Sequence, residues 1–256
     1  MGTIKLGVSN LAWESKSDLL NIESDLSLTN IKYLEIVIPK FVNWNALDLS
    51  EITSFVNSMK EKNIDILSTQ SIFFGSNIES FHSVDFIPHI EMVFSISNKL
   101  GIKHAVLGSP SMRKNSLDFS IKEKFCQIDS VLEKYDVTLL IEPNSKVYGG
   151  NYFYKVQDIV DFIDLCQLKR TKTMIDTHNL ILEGEDPAKV YLDNKMYIEH
   201  VHVSEKYLSG FKPSMAHDSL SEELKSNNYN GLVIYETKPV KNLSDSIKSF
   251  VNTYAL

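Results

Sequence analysis

The chain of 256 residues has an ordinary globular composition, with 43% hydrophobic, 23% charged and 10% aromatic residues. Such a hydrophobic fraction excludes an intrinsically disordered chain, which lacks the apolar surface needed to form a core. The formal net charge of −7 gives no general attraction to nucleic acid, whose binding depends mainly on Lys and Arg, so we expect no nucleic-acid partner.

Eight short apolar runs recur along the chain, separated by intervals long enough for a helix and two loops. They span residues 4–9, 33–38, 64–69, 104–108, 137–142, 173–177, 198–204 and 232–236. Most of them contain few polar residues, as in 137–141. Unbroken runs of this kind are typical of parallel strands that are covered on both faces.

Segments with helical periodicity lie between several of these runs. They span residues 47–63, 86–100, 120–135, 156–168 and 244–254. The second repeats apolar residues at Ile90, Val93 and Phe94 and stops before Gly101, a natural helix end. For the last segment we expect Ser244 to cap the helix.

Eight strand-then-helix units in this length predict a single (β/α)₈ TIM barrel over residues 1–256. A doubly wound sheet is the main competitor, but it would usually carry a glycine-rich turn after an early strand. Residues 10–14 follow the first run and contain no glycine. No phosphate-binding loop and no nucleophile elbow is found either.

Polar side chains lie at the ends of four consecutive runs in the second half of the chain. They are Glu142, Asp176, His202 and Glu236. Because barrel active sites are built at the C-terminal ends of the strands, we expect these four side chains to meet at one rim. Three carboxylates and an imidazole at one apolar-walled mouth repel one another unless protons or a cation compensate.

A single divalent metal ion would satisfy this set. Three oxygens with one nitrogen suit Mn²⁺, Mg²⁺ or Co²⁺ and can also hold Zn²⁺. In the seventh run we expect His200 and His202 to point to opposite faces. Only His202, nearer the end of the run, would then join the carboxylates, and His200 would have a packing role.

Four segments carry a family resemblance, in this order: IEPN at 141–144, IDTH at 175–178, HVH at 200–202 and IYE at 234–236. With this ordered set the chain resembles the sugar phosphate isomerase/epimerase superfamily. These are xylose isomerase-like barrels that include the ketose 3-epimerases, hydroxypyruvate isomerase and endonuclease IV. The loops after the third, fourth and fifth runs resemble a bacterial branch associated with carbohydrate metabolism.

The resemblance implies an enzyme that epimerises or isomerises a sugar or a sugar-derived substrate by proton transfer through an enediolate. Glu142, Asp176, His202 and Glu236 match the metal ligands of the ketose epimerases, and Glu142 and Glu236 match the carboxylates that move protons. A homodimer is expected from the same resemblance. The arginine that usually follows the strand-seven histidine is missing, and the nearest basic residue is Lys206.

Further residues are candidates for substrate contact. Gln70 and Arg113 lie just after the third and fourth runs, and His178 and His217 are the other candidates for holding hydroxyls or an anionic group. Trp13, Phe73 and Phe74 are expected to wall the pocket and exclude water.

Three other functions remain open at this point. An endonuclease IV-like metal-dependent phosphodiesterase would share the barrel but needs three zinc ions and further histidines. A non-catalytic sugar-binding barrel would be expected to lack a ligand or base. A metal-dependent lyase or dehydratase would use the same proton abstraction.

The compartment follows from the cysteines and the chain start. Cys126 and Cys166 are too few for a disulfide framework, and we expect both to be small buried side chains in a reducing environment. The opening residues do not form a signal peptide, and no apolar run approaches the ~20 residues that span a membrane. We expect a cytoplasmic protein without membrane contact.

Overall fold

The computed structural model describes residues 4–15 and 22–255. The eight strands are β1 (Lys5–Ser9), β2 (Tyr33–Val37), β3 (Asp65–Gln70), β4 (His104–Leu107), β5 (Thr138–Ile141), β6 (Thr171–Asp176), β7 (Ile198–Ser204) and β8 (Leu232–Glu236). They are parallel and pair in chain order, and β1 pairs with β8 to close the barrel. The predicted (β/α)₈ fold is confirmed, and every predicted run overlaps one strand.

Helices surround this barrel. Those of the described residues are α1 (Ile22–Ser27), α2 (Ser50–Glu61), α3 (Phe86–Leu100), α4 (Phe119–Leu132), α5 (Val156–Cys166), α6 (Thr177–Leu182), α7 (Pro187–Asn194), α8 (Met215–Ser226) and α9 (Leu243–Tyr254). The helical periodicity identified α2, α3, α4, α5 and α9. It did not identify α1, α6, α7 or α8. Two of these, α1 and α6, are only six residues long, which is too short for a clear period.

The predicted C-terminal end of α3 is confirmed, and the predicted N-terminal cap of α9 is not. Helix α3 ends where expected, because Gly101 takes the left-handed backbone conformation at φ 78° and closes the last turn. The predicted cap of α9 is wrong. Asn242 precedes that helix, and the Ser244 hydroxyl instead donates to Asp25 Oδ1 at 2.9 Å, which ties α9 to α1.

The apolar core has two parts, separated by the barrel wall. The larger part lies between helices and strands and includes Phe94 and Phe125, both fully buried. The smaller part consists of Val106, Leu140 and Met174, from β4, β5 and β6. Side chains alternate along a strand, and the neighbours of these three belong to the outer core, so the three fill the barrel interior.

The opposite half of the interior is polar. Glu35 on β2, Ser68 on β3 and His200 on β7 are all buried without exposed surface. A barrel interior is usually filled by branched apolar side chains. Buried polar groups at this depth cost free energy unless they are paired. Glu35 Oε1 is paired with Gln70 Nε2 and His202 Nε2 at the base of the site described below.

Neither cysteine of the chain is fully buried. Cys126 is exposed and Cys166 is half-buried, so the expectation of two buried cysteines is wrong. Cys126 follows the buried Phe125 on α4 and is turned about 100° away from it. Among the described helices, none combines the length and hydrophobicity needed to cross a bilayer. The expectation of no targeting segment concerns the N-terminal residues, and the first three of these lie outside the described residues.

Candidate metal centre

The four side chains expected at the rim do come together. Each of Glu142, Asp176, His202 and Glu236 offers one ligand atom, and these atoms all lie within 4.8 Å of one another. His202 Nδ1 is 3.5 Å from Glu142 Oε1 and 3.5 Å from Glu236 Oε2. The alternation of strands explains the convergence. Glu142 and Asp176 stand two residues after Leu140 and Met174, so they point to the same side, one layer nearer the rim.

Neighbouring groups fix the carboxylates in place. Asp176 Oδ1 accepts from the Asn179 backbone N–H at 2.7 Å, and its Oδ2 accepts from the Ser204 hydroxyl at 2.8 Å. Glu142 Oε2 accepts from the Asn144 side-chain amide at 3.2 Å. Each carboxylate keeps lone pairs for a further partner. Asp176 and Glu142 are therefore oriented before any ligand arrives.

The negative charges of this layer compete for protons. Burial, helped by the charges of Glu142 and Asp176, raises the pKa of Glu236 to about 8, although His202 opposes the rise. Burial and the charge of Glu142 raise the pKa of Asp176 to about 6. A cation can displace these protons, because it compensates the negative charge that raises the two pKa values.

The donor set fits a divalent ion. His202 Nδ1 is buried and has no hydrogen-bond partner among the described residues, although it faces two carboxylates. Three carboxylates and one imidazole nitrogen would hold Mn²⁺, Mg²⁺, Co²⁺ or Zn²⁺. The identity of the metal remains a prediction.

Glu35 is the main residue that the sequence analysis missed. Its side chain is fully buried beneath the four candidate ligands, and its Oε1 accepts from His202 Nε2 at 2.9 Å. Burial opposes ionisation, but the nearby His202 and His200 hold the pKa of Glu35 below its usual range. As an ionised acceptor it obliges His202 to carry its proton on Nε2, which leaves the Nδ1 lone pair for the metal.

His200 is a correction to the sequence analysis. We expected it to turn away from His202, but both rings lie inside the barrel with centroids 4.9 Å apart. The reason is that residues two apart on a strand share a face, while adjacent residues alternate. His200 Nε2 lies 3.1 Å from Glu35 Oε2. Burial lowers the pKa of His200 to about 4, so the ring is neutral.

A cavity of about 700 Å³ opens beside the carboxylates. Glu142 and Glu236 line it, together with the segments that follow β3 and β4. Gln70 also lines it, and its Nε2 donates to Glu35 Oε1 at 3.0 Å. His178 lies half-buried at the start of α6, with its backbone N–H 3.4 Å from Ser204 Oγ. Substrate contact by Gln70 and His178 stays a prediction.

Arg113 and His217 lie elsewhere, so neither supports the predicted substrate contact. Arg113 is fully buried, and its Nη2 donates to the carbonyls of Leu107, Gly108 and Glu142. It braces the backbone beneath the site and does not line the cavity. His217 is buried at the start of α8, where Nδ1 is 2.9 Å from Tyr254 Oη and Nε2 is 3.3 Å from Glu205 Oε1.

The expected cavity walls are partly present. Phe73 and Phe74 line the cavity. Trp13 does not: it is buried, and its indole N–H donates to Asp25 Oδ2 at 3.0 Å. Tyr148, which the sequence analysis did not select, lies near the site. Partial burial, followed by the negative charges of Asp176 and Glu142, raises its pKa.

The family follows from a comparison with known proteins. A family model described as a xylose isomerase-like TIM barrel matches residues 27–253, most of the chain. The chain belongs to the xylose isomerase-like TIM barrel family. The resemblance inferred from the four strand-end segments is thus confirmed at the level of this family. The sequence has no significant match among curated proteins.

Solved structures share this xylose isomerase-like fold at low sequence identity. The 3-keto-D-glucoside 4-epimerase YcjR of E. coli is 18% identical, with a TM-score of 0.79, over 97% of this chain and 99% of that one. The D-psicose 3-epimerase of Clostridium cellulolyticum H10 is 15% identical, with a TM-score of 0.79, over 98% of both chains. An AP endonuclease, family 2, of Brucella melitensis is 14% identical, with a TM-score of 0.75, over all of both chains.

The role of Glu35 can be tested by the substitution Glu35→Gln. The amide keeps the shape but loses the charge that holds the His202 proton on Nε2, so we expect metal affinity to fall about 10- to 100-fold. Calorimetric titration with Mn²⁺ measures it. Glu199→Gln is the control, because Glu199 lies on β7, like His202, but pairs with His104 of β4 outside the site. Equal affinity of both variants would contradict this role.

Gly108 leaves the space that the Glu142 carboxylate occupies. A Cβ at this position would overlap Glu142 Oε2. We therefore expect Gly108→Ala to displace that carboxylate and weaken Mn²⁺ binding at least about tenfold with little loss of thermal stability, since only a short side-chain shift is needed. Gly210→Ala, whose Cβ would be 3.3 Å from Ser246 Oγ, is the control. Unchanged binding by Gly108→Ala would count against Glu142 as a ligand.

The pKa shifts predict how pH changes the effect of metal on stability. Asp176 and Glu236 have folded-state pKa values above their unfolded values. In the folded metal-free protein these two groups hold extra protons, and their contribution to stability is lost as pH rises from about 4 to about 8. A bound cation removes this penalty. We expect Mn²⁺ to raise the Tm more at pH 8 than at pH 5.5, measured by calorimetry. An equal or smaller rise at pH 8 would contradict this assignment.

Proposed function

We propose that this protein is a divalent-metal-dependent isomerase or epimerase of a sugar or sugar-derived substrate. The observation that carries the proposal is the convergence of Glu142, Asp176, His202 and Glu236 at the floor of an open cavity. Two of these groups, Glu142 and Glu236, line the cavity itself. The similar structures named as sugar epimerases support the same reaction class.

The chemistry needs a carbonyl next to a C–H bond. A divalent ion, when bound, would polarise the carbonyl and stabilise the negative charge that develops on its oxygen. Glu142 and Glu236 lie on the cavity side of the site, where one removes the proton from the carbon next to the carbonyl. The other returns a proton to the opposite face, or to the neighbouring carbon, so that the same pair serves epimerisation or isomerisation.

The remaining cavity groups bind and orient the substrate. The Gln70 side chain is fixed by Ser9 and Glu35, so its amide offers a preorganised contact for a hydroxyl. Tyr148, which lies within electrostatic range of Asp176 and Glu142, and His178, two residues after Asp176, are further candidates for hydrogen bonds to the substrate. Phe73, which is buried, gives the cavity an apolar wall, which excludes water from the carbon that loses its proton.

A nuclease of the endonuclease IV type is the alternative, and the Brucella structure shares the fold. Among the described residues, the other group of three candidate ligands is Glu35, His200 and His202. It shares His202 with the first group and is fully buried, so it offers no separate open site for a phosphodiester. The acidic net charge also disfavours DNA.

Proton transfer by the two carboxylates can be tested directly. With metal bound, we expect Glu142→Gln and Glu236→Gln each to slow solvent deuterium exchange into a turned-over ketose by at least about 100-fold, because each removes an acid–base group. NMR in D₂O with D-fructose, D-psicose and D-tagatose measures the exchange. Glu199→Gln should retain it.

Two results would count against the proposal. One is unchanged exchange in both Glu→Gln variants while Mn²⁺ remains bound. The other is cleavage of abasic-site DNA by the wild-type protein with no exchange in any ketose, which would favour the nuclease. Removal of metal with EDTA should abolish exchange, and added Mn²⁺ should restore it.

A further inference from the structure

The cavity extends well beyond the groups that act on the reacting carbon. Its volume of about 700 Å³ lies in the upper part of the range for drug-sized ligands. Only Glu142 and Glu236 of the metal-site residues line it. The other walls come mainly from residues 71–79 after β3 and residues 108–114 after β4. One monosaccharide held at the carboxylates would leave much of this space to water.

An aromatic side chain is presented in that extra space. Phe74 lines the cavity, and 68% of its surface is exposed. Its loop is not loosely held. The buried Trp44 donates from Nε1 to the Phe74 carbonyl at 2.8 Å, and the buried His89 donates from Nε2 to the Ile72 carbonyl at 2.7 Å. Two buried polar side chains thus fix a short loop whose large apolar side chain faces solvent.

The groups around Phe74 are hydroxyls and charges. The cavity lining there includes Ser71, Ser76, Ser109, Ser111, Glu79 and Lys114. Ser71 and Ser109 each follow a strand end and take the left-handed backbone conformation, with φ of 53° and 56°. That conformation costs energy for residues other than glycine, and it is found at ligand-binding sites as well as in turns and at helix ends.

A sugar ring matches this combination of groups. Its C–H face packs on an aromatic ring, and its hydroxyls both donate to and accept from serine hydroxyls and charged side chains. We propose that residues 71–79 and 108–114 form a second sugar-binding subsite with Phe74 as its platform. The substrate is then a disaccharide or glycoside that carries the reacting sugar at one end. This inference rests on the proposed function, because it places the reacting sugar at the metal centre.

Disaccharides that contain a free ketose unit test the subsite. Isomaltulose, lactulose and turanose carry a second hexose on position 6, 4 or 3 of D-fructose. We expect at least one of them to bind the Mn²⁺-loaded protein about tenfold more tightly than D-fructose, measured by calorimetry. Saturation-transfer NMR should show contact with both rings of that disaccharide.

Variants of the platform make the test specific. Phe74→Ala should lower the ratio of disaccharide to D-fructose affinity about tenfold, and Phe74→Trp should preserve it. Phe119→Ala is the matched control, because Phe119 is 72% exposed at the start of α4 and lies outside the cavity. Its ratio should equal that of the wild type.

The outcomes separate this inference from the proposed function. If no disaccharide binds more tightly than D-fructose, or if Phe74→Ala leaves the ratio unchanged, the subsite is wrong even where D-fructose is turned over. If a disaccharide binds through both rings and Phe74→Ala abolishes its advantage, the subsite stands. Absence of proton exchange in that bound disaccharide would then count against the isomerase alone.

Discussion

The repulsion among Glu142, Asp176 and Glu236 is the constraint on which the site depends. Three carboxylates in a buried layer cannot all be ionised without a compensating charge. Without a metal ion, that compensation comes from a proton on Glu236, from a proton on Asp176 below about pH 6, and from His202. Burial lowers the pKa of His202, but the charges of Glu35 and Glu236 outweigh burial and raise that pKa well above its usual value. A divalent cation is the alternative compensation, and it allows all three carboxylates to ionise.

The polar side chains in one half of the barrel interior support the layer of candidate metal ligands. Glu35 contacts His202 and His200, and Gln70 and Ser9 complete the network below the rim. A buried network of this kind stabilises only when its members are paired, because an unpaired polar group at this depth costs free energy. The apolar half, formed by Val106, Leu140 and Met174, has no such requirement. The asymmetry of the barrel interior therefore reflects the position of the chemistry.

The sequence was sufficient to predict the barrel and the four converging side chains, because both follow from strand periodicity and from the fact that parallel strands end at one rim. Glu35 was overlooked, although it lies on a predicted strand, because its role depends on the distance across the barrel to β7. Arg113 and His217 were misplaced because a position after a strand end does not fix the direction of a loop side chain. Arg113 turns down into backbone carbonyls, and His217 joins α8 to Tyr254. The error on His200 was avoidable, since strand alternation alone places it beside His202.

The His202 ring uses both nitrogens, with Nε2 toward Glu35 and Nδ1 toward the carboxylates of the rim. These contacts also limit how β7 can align with its neighbours during folding. In the native pairing His202 lies opposite Asp176 on β6 and Ile234 on β8. A slip of one residue would turn Val201 and Val203 into the barrel and carry both imidazoles into the helix layer. Glu35 would then lose both imidazoles and keep only the neutral Gln70 amide as a partner, and breaking a buried charge pair in this way costs about 3–5 kcal/mol. The contacts that orient the imidazole thus also select the correctly aligned barrel over its nearest misfolded competitor.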